Sequence, residues 1–380
     1  MKIAYILPTL EPGGGAERVI TEKANYFAEH YKYDVYIINL YQRQDSPNFY
    51  PLSEKVHQIN LAIPYYSQYK YKYPKRLWIK IKINCYMRSI ITQTIQTIDP
   101  EILIGVSYSQ ADMVSSIKCR AKKIIECHET KYIYTSNLFS SSIISKFYTN
   151  ILYYHSIEKN ADIVITLTSE AKQQWRKAKR VEAIPNFSSM HVEQYSNCNV
   201  KRIIAVGRLC EEKGFERLLC IWETVQARHT DWHLDIFGEG KLKDKLTSLI
   251  DTKHIKNVVL HSSTKDIGKE YANSSICAVT SHMEGFSLVI LEAMKYGVPC
   301  VAFDCPYGPR NIIEDKKNGY LVENGNKDLF TEKLCNLIEN GDLRKSFSAS
   351  AIKRAMHFDS NIVMNKWKSL FEEITKPTSL

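Results

Sequence analysis

The sequence predicts an α/β protein made of two Rossmann-like domains with a cleft between them. At 380 residues the chain is too long for one ordinary hydrophobic core and has a suitable length for two domains. Short apolar runs rich in β-branched residues alternate with helix-length segments, which is typical of parallel strands buried on both faces. A polar stretch without periodicity, residues 186–199, separates two sets of such runs, and we interpret it as the linker.

Five apolar runs in the first half and six in the second half are predicted to be strands. The first five are KIAYILP, DVYIINL, EILIGVS, KKIIECH and ADIVITL, and the other six are KRIIAVG, HLDIFGEG, NVVLHSS, ICAVTS, PCVAFD and NGYLV. Open parallel sheets bind ligands beyond the carboxyl ends of their strands. We therefore expect the functional residues in loops that follow strands.

Charge is divided unequally between the two halves. Residues 1–190 hold 25 Lys and Arg against 16 Asp and Glu, a net charge of +9, whereas residues 191–380 hold 26 against 25, a net charge of +1. An acidic partner would therefore meet the first half. We place the first domain at residues 1–188 and the second at residues 189–359, and we expect a C-terminal helix at about 360–380 to pack back on the first domain.

The most basic stretch is residues 65–90. Seven Lys and Arg occur from Lys70 to Arg88, and no Asp or Glu occurs between Glu54 and Asp99. Cations interleaved with Tyr and Trp suit an anionic membrane surface, but a solvated helix face is an alternative, and neither a helical nor an alternating period fits well. Nucleic acid would also suit the charge, but no nucleic-acid-binding motif accompanies it, so we predict no nucleic-acid partner.

The sequence also bears on where the protein works. No apolar run reaches the roughly 20 residues that a membrane-spanning helix needs, and the N-terminal KIAYILPTL is too short for a signal peptide. Ten cysteines occur without a Cys-x-x-Cys pair, which favours reduced structural thiols over a zinc site. We predict a cytoplasmic protein, held peripherally at the inner face of the cytoplasmic membrane by residues 65–90.

The segment SHMEGFSLVILEAMKYGVPC carries two glutamates eight positions apart. Glu284 follows a predicted strand in a polar turn that Gly285 would tighten, and Glu292 lies in an apolar helical run. A helix beginning near Ser287 would offer an anion-binding N-terminus. A buried carboxylate accepts several hydrogen bonds and suits a vicinal diol. The alternative is structural, with Glu284 capping a turn and Glu292 pairing with a lysine. The amides at the helix start belong to Phe286, Ser287 and Leu288.

Two further turns contain groups suited to a phosphate ligand. Arg208 and Lys213, in VGRLCEEKGFERLL, place two cations after a strand, where they could neutralise a departing diphosphate. Solvated charges beside two neighbouring glutamates are the alternative. The glycines of PTLEPGGGAERVI would let the backbone approach a ligand, although an ordinary turn into a helix would also explain them.

The residues EGFSLVILEAMKYGVPCVAFDCPYGPRNIIEDKKNGYLV resemble family-4 glycosyltransferases, which are retaining, nucleotide-sugar-dependent enzymes with the GT-B fold. The likeness covers most of residues 200–325, and the family signature of a Glu, seven residues and a second Glu is complete. By this resemblance Glu284 contacts hydroxyls of the donor sugar and Glu292 contacts the ribose. Arg208 and Lys213 would stabilise the departing diphosphate, and the first domain would bind the acceptor.

The resemblance implies a larger set of site residues. A histidine follows the corresponding strand in similar enzymes, so His128 would lie near the donor sugar, with a structural histidine as the alternative. The turn FGEGKLKDKL would lie beside the base, although Lys243 replaces the third glycine of a dinucleotide motif. The implied catalytic set is Glu284, His128, Arg208 and Lys213. The implied donor-binding set is Gly14, Gly15, Arg208, Lys213, Gly238, Ser262, Thr264, Glu284, Gly285, Phe286, Ser287, Leu288 and Glu292.

Taken with this resemblance, the sequence predicts a retaining, metal-independent hexosyltransferase of polysaccharide biosynthesis, for example of lipopolysaccharide or capsule. FDCPYGPRNII is similar to enzymes that use UDP-linked galactose, GalNAc or GlcNAc, and the acceptor would be a glycan or a lipid-linked oligosaccharide. No Asp-x-Asp pair occurs to hold a metal on the diphosphate, so we expect neither a metal nor another cofactor. A GT-B phosphorylase, a dinucleotide oxidoreductase and a non-catalytic sugar-nucleotide-binding partner are the alternatives.

Overall fold

The computed structural model of the chain describes residues 1–107, 110–128 and 152–376. The chain divides into two compact units, one formed by Met1–Ile184 with Val363–Leu380 and the other by Pro185–Ile362. We call them the N-terminal unit and the C-terminal unit. Each contains one sheet in which every pair of neighbouring strands is parallel.

The N-terminal unit has a seven-stranded sheet in the order β3-β2-β1-β4-β5-β6-β7. Its strands are β1 Lys2–Leu7, β2 Asp34–Asn39, β3 Val56–Asn60, β4 Ile102–Val106, β5 Lys122–Cys127, β6 Ile163–Thr166 and β7 Val181–Ala183. Its helices are α1 Gly15–His30, α2 Lys75–Ile98, α3 Ala111–Ser115 and α4 Tyr154–Asn160, with 3₁₀ turns at Tyr65–Lys70 and Glu170–Trp175. The central strands are buried because helices cover both faces of a parallel sheet, and Ile3 to Leu7 of β1 have no exposed surface.

The C-terminal unit has a six-stranded sheet in the order β10-β9-β8-β11-β12-β13. Its strands are β8 Arg202–Val206, β9 His233–Phe237, β10 Val258–His261, β11 Ile276–Val279, β12 Cys300–Asp304 and β13 Gly319–Glu323. Its helices are α5 Phe215–Arg228, α6 Lys243–Thr252, α7 Ile267–Ala272, α8 Leu288–Lys295, α9 Lys327–Glu339 and α10 Gly341–Ala355, with 3₁₀ turns at Glu211–Lys213, Pro309–Asn311 and Met356–Phe358. The core packs α5 and α9 on one face of this sheet, with Trp222 and Phe330 fully buried.

The last helix, α11 Ser360–Thr375, begins in the C-terminal unit and ends in the N-terminal one. Trp367 and Phe371 on this helix are buried. The ring of Phe371 lies 5.2 Å from that of Phe27 on α1. The helix therefore completes the hydrophobic core of the N-terminal unit.

The predicted α/β class with parallel sheets is confirmed, since each of the eleven predicted runs contains a strand. Two strands were not predicted. β3 lies at the edge of its sheet and has the half-exposed sequence VHQIN, and β7 has only three residues. Neither contains the continuous apolar run by which the other strands were found.

The basic stretch forms a 3₁₀ turn, Tyr65–Lys70, followed by the 24-residue helix α2. One face of α2 is buried through a ridge four residues apart, from Ile83 to Ile95. Its outward face is also apolar in the first half, where Leu77, Trp78 and Ile81 are exposed. Apolar residues on both sides hid the helical period in the sequence. Among the described residues, no helix is both long and apolar enough to span a membrane.

Candidate functional site

The candidate site of the C-terminal unit lies where its strand order reverses. β8 and β11 are hydrogen-bonded neighbours, although β9 and β10 come between them in sequence. The chain leaves such a pair of strands on opposite sides, which opens a crevice beyond their carboxyl ends. Arg208 and Lys213 follow β8, and Glu284 follows β11. The topology thus places the two cations and the carboxylate that the sequence analysis selected after neighbouring strands.

Lys213 and Glu284 form an ion pair in this crevice. The Lys213 Nζ lies 2.7 Å from the Glu284 Oε1, and the Ser281 hydroxyl donates to the same oxygen at 2.6 Å. Glu284 is only 9% exposed, so these partners replace the hydrogen bonds to water that burial removes from the carboxylate. A Cβ on Gly308 would lie 2.6 Å from the Glu284 Cβ, so only glycine fits beside this glutamate. Both side-chain partners and backbone packing therefore fix the Glu284 side chain.

Arg217, on α5, holds the loop that carries Glu284. Its guanidinium donates to the backbone carbonyls of Thr280 and Ser281 and, at 2.9 Å, to the Asn324 side chain. It also lies 4.1 Å from the centre of the Phe303 ring. Burial lowers the pKa of Arg217 to about 10, which still leaves it charged at neutral pH. Sequence analysis missed this residue, because its role depends on carbonyls more than sixty positions away.

The turn before α5 is fixed against the same loop. Gly214 has a φ of +65°, which favours glycine, and an added Cβ would lie 2.2 Å from the Thr280 carbonyl oxygen. The Thr280 hydroxyl donates to the Gly214 carbonyl at 3.1 Å. Lys213 immediately precedes this glycine. Its position relative to Glu284 is therefore set by backbone contacts as well as by the ion pair.

Glu292 lies on α8 and is 6% exposed. The Tyr271 hydroxyl, from α7, donates to the Glu292 Oε2 at 3.3 Å. Burial and then the Glu292 charge raise the pKa of Tyr271 well above its usual value, so this hydroxyl stays a donor. Tyr271 was not identified from the sequence.

Ser287 occupies the position before the first residue of α8, as expected. Its hydroxyl is buried and has no hydrogen-bond partner among the described residues, so it does not cap the helix. Phe286 is buried and lies 5.5 Å from the Phe358 ring, which assigns its side chain to the core. Gly285 and Leu288 are half-buried. Any ligand contact from these four residues would therefore come mainly from the backbone and the Ser287 hydroxyl.

The turn after β9 packs backbone to backbone against the turn after β8. A Cβ on Gly238 would lie 1.9 Å from the Gly207 carbonyl oxygen, and one on Gly240 would lie 2.4 Å from the Leu209 carbonyl oxygen. The Leu209 amide donates to the Glu239 carbonyl at 2.8 Å. Both glycines are thus required by contact between two turns. The third position of the motif is Lys243, the first residue of α6.

Ser262 and Thr264 lie beyond β10, the edge strand that is two strands away from β8. Both are exposed. The Lys243 Nζ lies 3.4 Å from the Ser262 hydroxyl oxygen, and the Thr264 hydroxyl accepts from the Asp266 amide at 3.1 Å. Arg208 is also exposed. None of these three side chains has a hydrogen bond to Lys213 or Glu284 among those that the structure shows for the described residues.

Two sequence-selected groups lie in the N-terminal unit. Gly14 precedes the first turn of α1 with an extended backbone, and Gly15 is the first residue of that helix. A Cβ on Gly14 would lie 2.1 Å from the Glu17 carboxylate, a flexible side chain. His128 directly follows β5 and is 9% exposed. Its Nε2 lies 3.1 Å from the Glu126 Oε2, a contact that the sequence did not indicate.

Cys305 is fully buried and its thiol is influenced by the charge of Glu284. Burial, followed by the charge of Glu284, raises the pKa of Cys305 to about 12. All ten cysteines are free. Within residues 1–107, 110–128 and 152–376, no three His, Cys, Asp or Glu side chains are grouped so that they could hold a metal ion.

Part of the chain matches a known protein family. Residues 189–354 match the family model of the group 1 glycosyl transferases. The chain is 29% identical to the amylovoran biosynthesis glycosyltransferase AmsD of Erwinia amylovora, over 97% of this chain and 99% of the relative. It is 31% identical to the poly(ribitol-phosphate) alpha-N-acetylglucosaminyltransferase of Staphylococcus aureus, over 51% of this chain and 40% of the relative.

Among solved structures, a TarM variant of S. aureus in complex with fondaparinux, alpha-GlcNAc-glycerol and UDP is similar to the whole chain. The TM-score is 0.78, the sequence identity is 18%, and the match covers 97% of this chain and 99% of that one. At this identity the likeness shows a shared fold.

Proposed function

We propose that the protein is a retaining hexosyltransferase. The premise is that residues 189–354 belong to the group 1 glycosyl transferases and that the chain has the two-domain GT-B fold. The protein moves a hexose from UDP-galactose, UDP-GalNAc or UDP-GlcNAc to a lipid-linked glycan in polysaccharide biosynthesis. The relatives support this direction, since one acts in amylovoran biosynthesis and another is an N-acetylglucosaminyltransferase by name. The UDP bound by the TarM variant supports a UDP-linked donor.

The observation that carries the proposal is the contact between Lys213 and Glu284. In a nucleotide sugar the anomeric carbon and the diphosphate are joined by one bond. Groups that recognise these two parts must therefore lie side by side. A cation 2.7 Å from a nearly buried carboxylate, at the strand-order reversal of a parallel sheet, meets this requirement. Glu284 then binds sugar hydroxyls while Lys213, with Arg208, faces the diphosphate.

Glu292 supports the nucleotide side of the proposal. It is a buried carboxylate with the Tyr271 hydroxyl as donor. A carboxylate accepts several hydrogen bonds, so Glu292 can also accept hydrogen bonds from the two hydroxyls of a ribose. The turn at Gly238 and the exposed hydroxyls of Ser262 and Thr264 supply the surroundings of the base.

The proposed reaction retains configuration by attack on the same face of the sugar. The acceptor hydroxyl oxygen forms a bond with the anomeric carbon as the bond from that carbon to the diphosphate breaks. The proton of the hydroxyl passes to an oxygen of the departing diphosphate. Arg208 and Lys213 stabilise the negative charge that accumulates there, and this interaction is strongest in the transition state. His128 contributes a hydrogen bond near the donor sugar.

We propose that these two cations supply the charge that a metal ion supplies in other transferases. The reaction should then persist in EDTA. Arg208→Ala should lower turnover on the order of a hundredfold, since it removes one donor to the developing charge. Loss of activity in EDTA that Mg²⁺ or Mn²⁺ restores would contradict the metal-free reaction.

The acceptor side of the proposal rests on the basic N-terminal unit. The outward face of α2 exposes Trp78 by 64% and Ile81 by 47%, beside exposed cations. In the second half of the same helix, Arg88 is the one exposed charged residue, and the other exposed residues are the polar Ser89, Gln93, Gln96 and Thr97. Apolar exposure is therefore confined to the basic half. This combination suits an anionic membrane surface, where a lipid-linked acceptor would be found.

The function is tested by donor hydrolysis across a panel of UDP-, GDP- and ADP-sugars, because slow hydrolysis needs no known acceptor. We expect one UDP-hexose to be hydrolysed well above the others, and Glu284→Gln to lower its turnover. Glu332→Gln, on the exposed surface of α9, is the matched control. Binding of a UDP-sugar without any turnover would favour the non-catalytic binding partner. Release or consumption of inorganic phosphate would favour a phosphorylase.

A further inference from the structure

Three titratable side chains meet inside the N-terminal unit at the end of β5. Lys23 of α1 is 2% exposed, Glu126 of β5 is 1% exposed and His128 is 9% exposed. Glu126 and His128 are two positions apart, so they point to the same side of the strand. Lys23 approaches from the helix that follows the glycine-rich turn. Nothing in the proposed reaction uses Lys23 or Glu126.

One carboxylate oxygen joins the three residues. The Glu126 Oε2 accepts a hydrogen bond from the Lys23 ammonium and lies 3.1 Å from the His128 Nε2. The Lys23 Nζ also lies 4.6 Å from the centre of the Trp367 ring, on α11. Tyr5 of β1 is fully buried beside them, and burial and then the Glu126 charge raise the pKa of its hydroxyl. Elements distant in sequence thus enclose the cluster.

The charge of Glu126 determines which His128 nitrogen carries the proton. Burial by itself would raise the pKa of Glu126, but the Lys23 charge and the hydrogen bonds from His128 and Lys23 outweigh it and lower the pKa to about 2. The carboxylate is therefore ionised at neutral pH and can only accept hydrogen bonds. Whenever the ring is neutral, the His128 Nε2 must then be the nitrogen that carries the proton. Nδ1 is left as the acceptor.

Lys23 offsets the negative charge that Glu126 places beside His128. An uncompensated buried carboxylate would strongly favour the imidazolium form of its neighbour. Paired with Lys23, Glu126 fixes the ring while the pair itself carries no net charge. A buried ion pair is seldom more stabilising than well-packed apolar residues of the same size. Stability alone is therefore a weak reason for this pair.

We propose that Glu126 and Lys23 are positioning residues that hold His128 in the Nε2–H tautomer, with Nδ1 as the nitrogen that meets the donor sugar or the attacking hydroxyl. The second half of this statement rests on the proposed function. The first half concerns the chain alone and is tested separately.

The tautomer is read by NMR of protein labelled with ¹⁵N-histidine, at neutral pH and without substrate. His128→Gln identifies the His128 signals by difference. In the parent we expect the ¹⁵N shifts of an Nε2-protonated ring. In Glu126→Gln the preference should be lost, since a side-chain amide can donate as well as accept. Glu22→Gln, which breaks a partly exposed ion pair with Arg18 on the same helix, is the control and should leave the His128 signals unchanged.

Activity is read as hydrolysis of the UDP-sugar that the parent prefers. Glu126→Gln should lower kcat about tenfold, a part of what a positioned acid or base contributes, with KM within about twofold of the parent. Lys23→Met should shift His128 toward the imidazolium form in the NMR spectrum. The double variant Lys23→Met/Glu126→Gln removes both charges and serves if a single variant fails to fold. It should also lose the tautomer preference.

Each outcome of these experiments either supports or overturns a part of the proposal. An Nδ1-protonated ring in the parent would overturn the proposal, as would a folded Glu126→Gln or double variant with an unchanged tautomer. Loss of the tautomer preference with unchanged kcat would keep the positioning contact but remove its catalytic purpose. If no nucleotide sugar is hydrolysed and the NMR result is as expected, the proposed function fails while the assignment of Glu126 and Lys23 stands.

Discussion

The two glutamates of the C-terminal unit should respond differently to the same substitution. Glu292→Gln should weaken UDP binding by about 1 to 3 kcal/mol, because it removes charge-assisted hydrogen bonds to the ribose. Glu284→Gln should leave UDP affinity nearly unchanged and lower the turnover of the UDP-sugar. Calorimetric titration with UDP, beside hydrolysis rates, separates the two effects. Equal UDP affinities for the parent and Glu292→Gln would remove the ribose assignment.

The buried Glu126 also predicts how the N-terminal unit responds to acid. Its pKa is lowered from 4.5 to about 2 in the folded chain, because Lys23 and His128 outweigh the cost of burial. A folded pKa below the unfolded one adds stability that is present above about pH 4.5 and is lost as the pH falls toward 2. Urea unfolding of the parent and of Lys23→Met/Glu126→Gln, at pH 6 and pH 3, measures this. The advantage of the parent over the double variant should shrink at pH 3, and an equal difference at both values would contradict the prediction.

At the residue scale, sequence analysis found the groups proposed to touch the ligand and missed the groups that hold them. Glu284 and Lys213 were selected because charged residues follow buried strands. Arg217 looked like an ordinary helix cation, since its carbonyl partners belong to a loop distant in sequence. Glu126 lies within an apolar strand sequence, and its partner Lys23 comes from another element. Residues that contact each other only in the folded protein leave no local pattern in the sequence.

Among the elements, the two turns that follow β8 and β9 depend on each other. Gly238→Ala would place a Cβ 1.9 Å from the Gly207 carbonyl oxygen, so one backbone must move. We expect a loss of roughly 2 to 4 kcal/mol in the free energy of unfolding and weaker UDP binding, because the turn also borders the proposed base site. Gly341→Ala is the control, since its Cβ would find its nearest atom at an ordinary 3.6 Å. Thermal and urea unfolding of both variants measure the difference, and equal stability would show that the turns are not coupled.

The strands were predictable wherever the sequence carries a continuous apolar run, and this includes the edge strand β10, which is only partly buried. Strands covered on both faces produce continuous apolar runs, and all eleven such runs contain strands. The edge strand β3 and the three-residue β7 produce no such signal. α2 was obscured for a different reason, because exposed Leu77 and Trp78 add apolar residues outside its buried face. The exposed apolar residues of α2 therefore identify a surface whose binding can be tested.

For the whole molecule, the charge is divided unequally between the two halves of the sequence, with +9 on residues 1–190 and +1 on residues 191–380. The proposed donor site lies in the nearly neutral part. An electrostatic partner of the N-terminal unit can therefore be altered without changing the donor site. Because the basic surface and the proposed donor site lie in different units, membrane binding and nucleotide binding can be measured independently on one protein.

The last prediction is that the protein binds anionic membranes through the 3₁₀ turn Tyr65–Lys70 and the first half of α2. Binding to phosphatidylglycerol liposomes should be strong at low salt and should fall as salt shortens the screening length to about 8 to 10 Å. Substitution of four cations by Gln should release the protein, because each contributes on the order of 1 kcal/mol near such a surface, and should leave UDP affinity intact. The four are Lys70, Lys72, Lys75 and Arg76.

A matched control removes the same charge from the exposed surface of the C-terminal unit and should bind liposomes almost as the parent does. Its four substitutions to Gln are at Lys316, Lys327, Lys345 and Lys353. Trp78→Ser/Ile81→Ser tests the apolar contribution, which salt does not screen, and should weaken the binding that remains at high salt. If both quadruple variants lose binding equally, attraction by net charge explains the result and the assigned surface is wrong. If the first variant binds like the parent, the basic half of α2 is a solvated face, and the acceptor must reach the enzyme by another route.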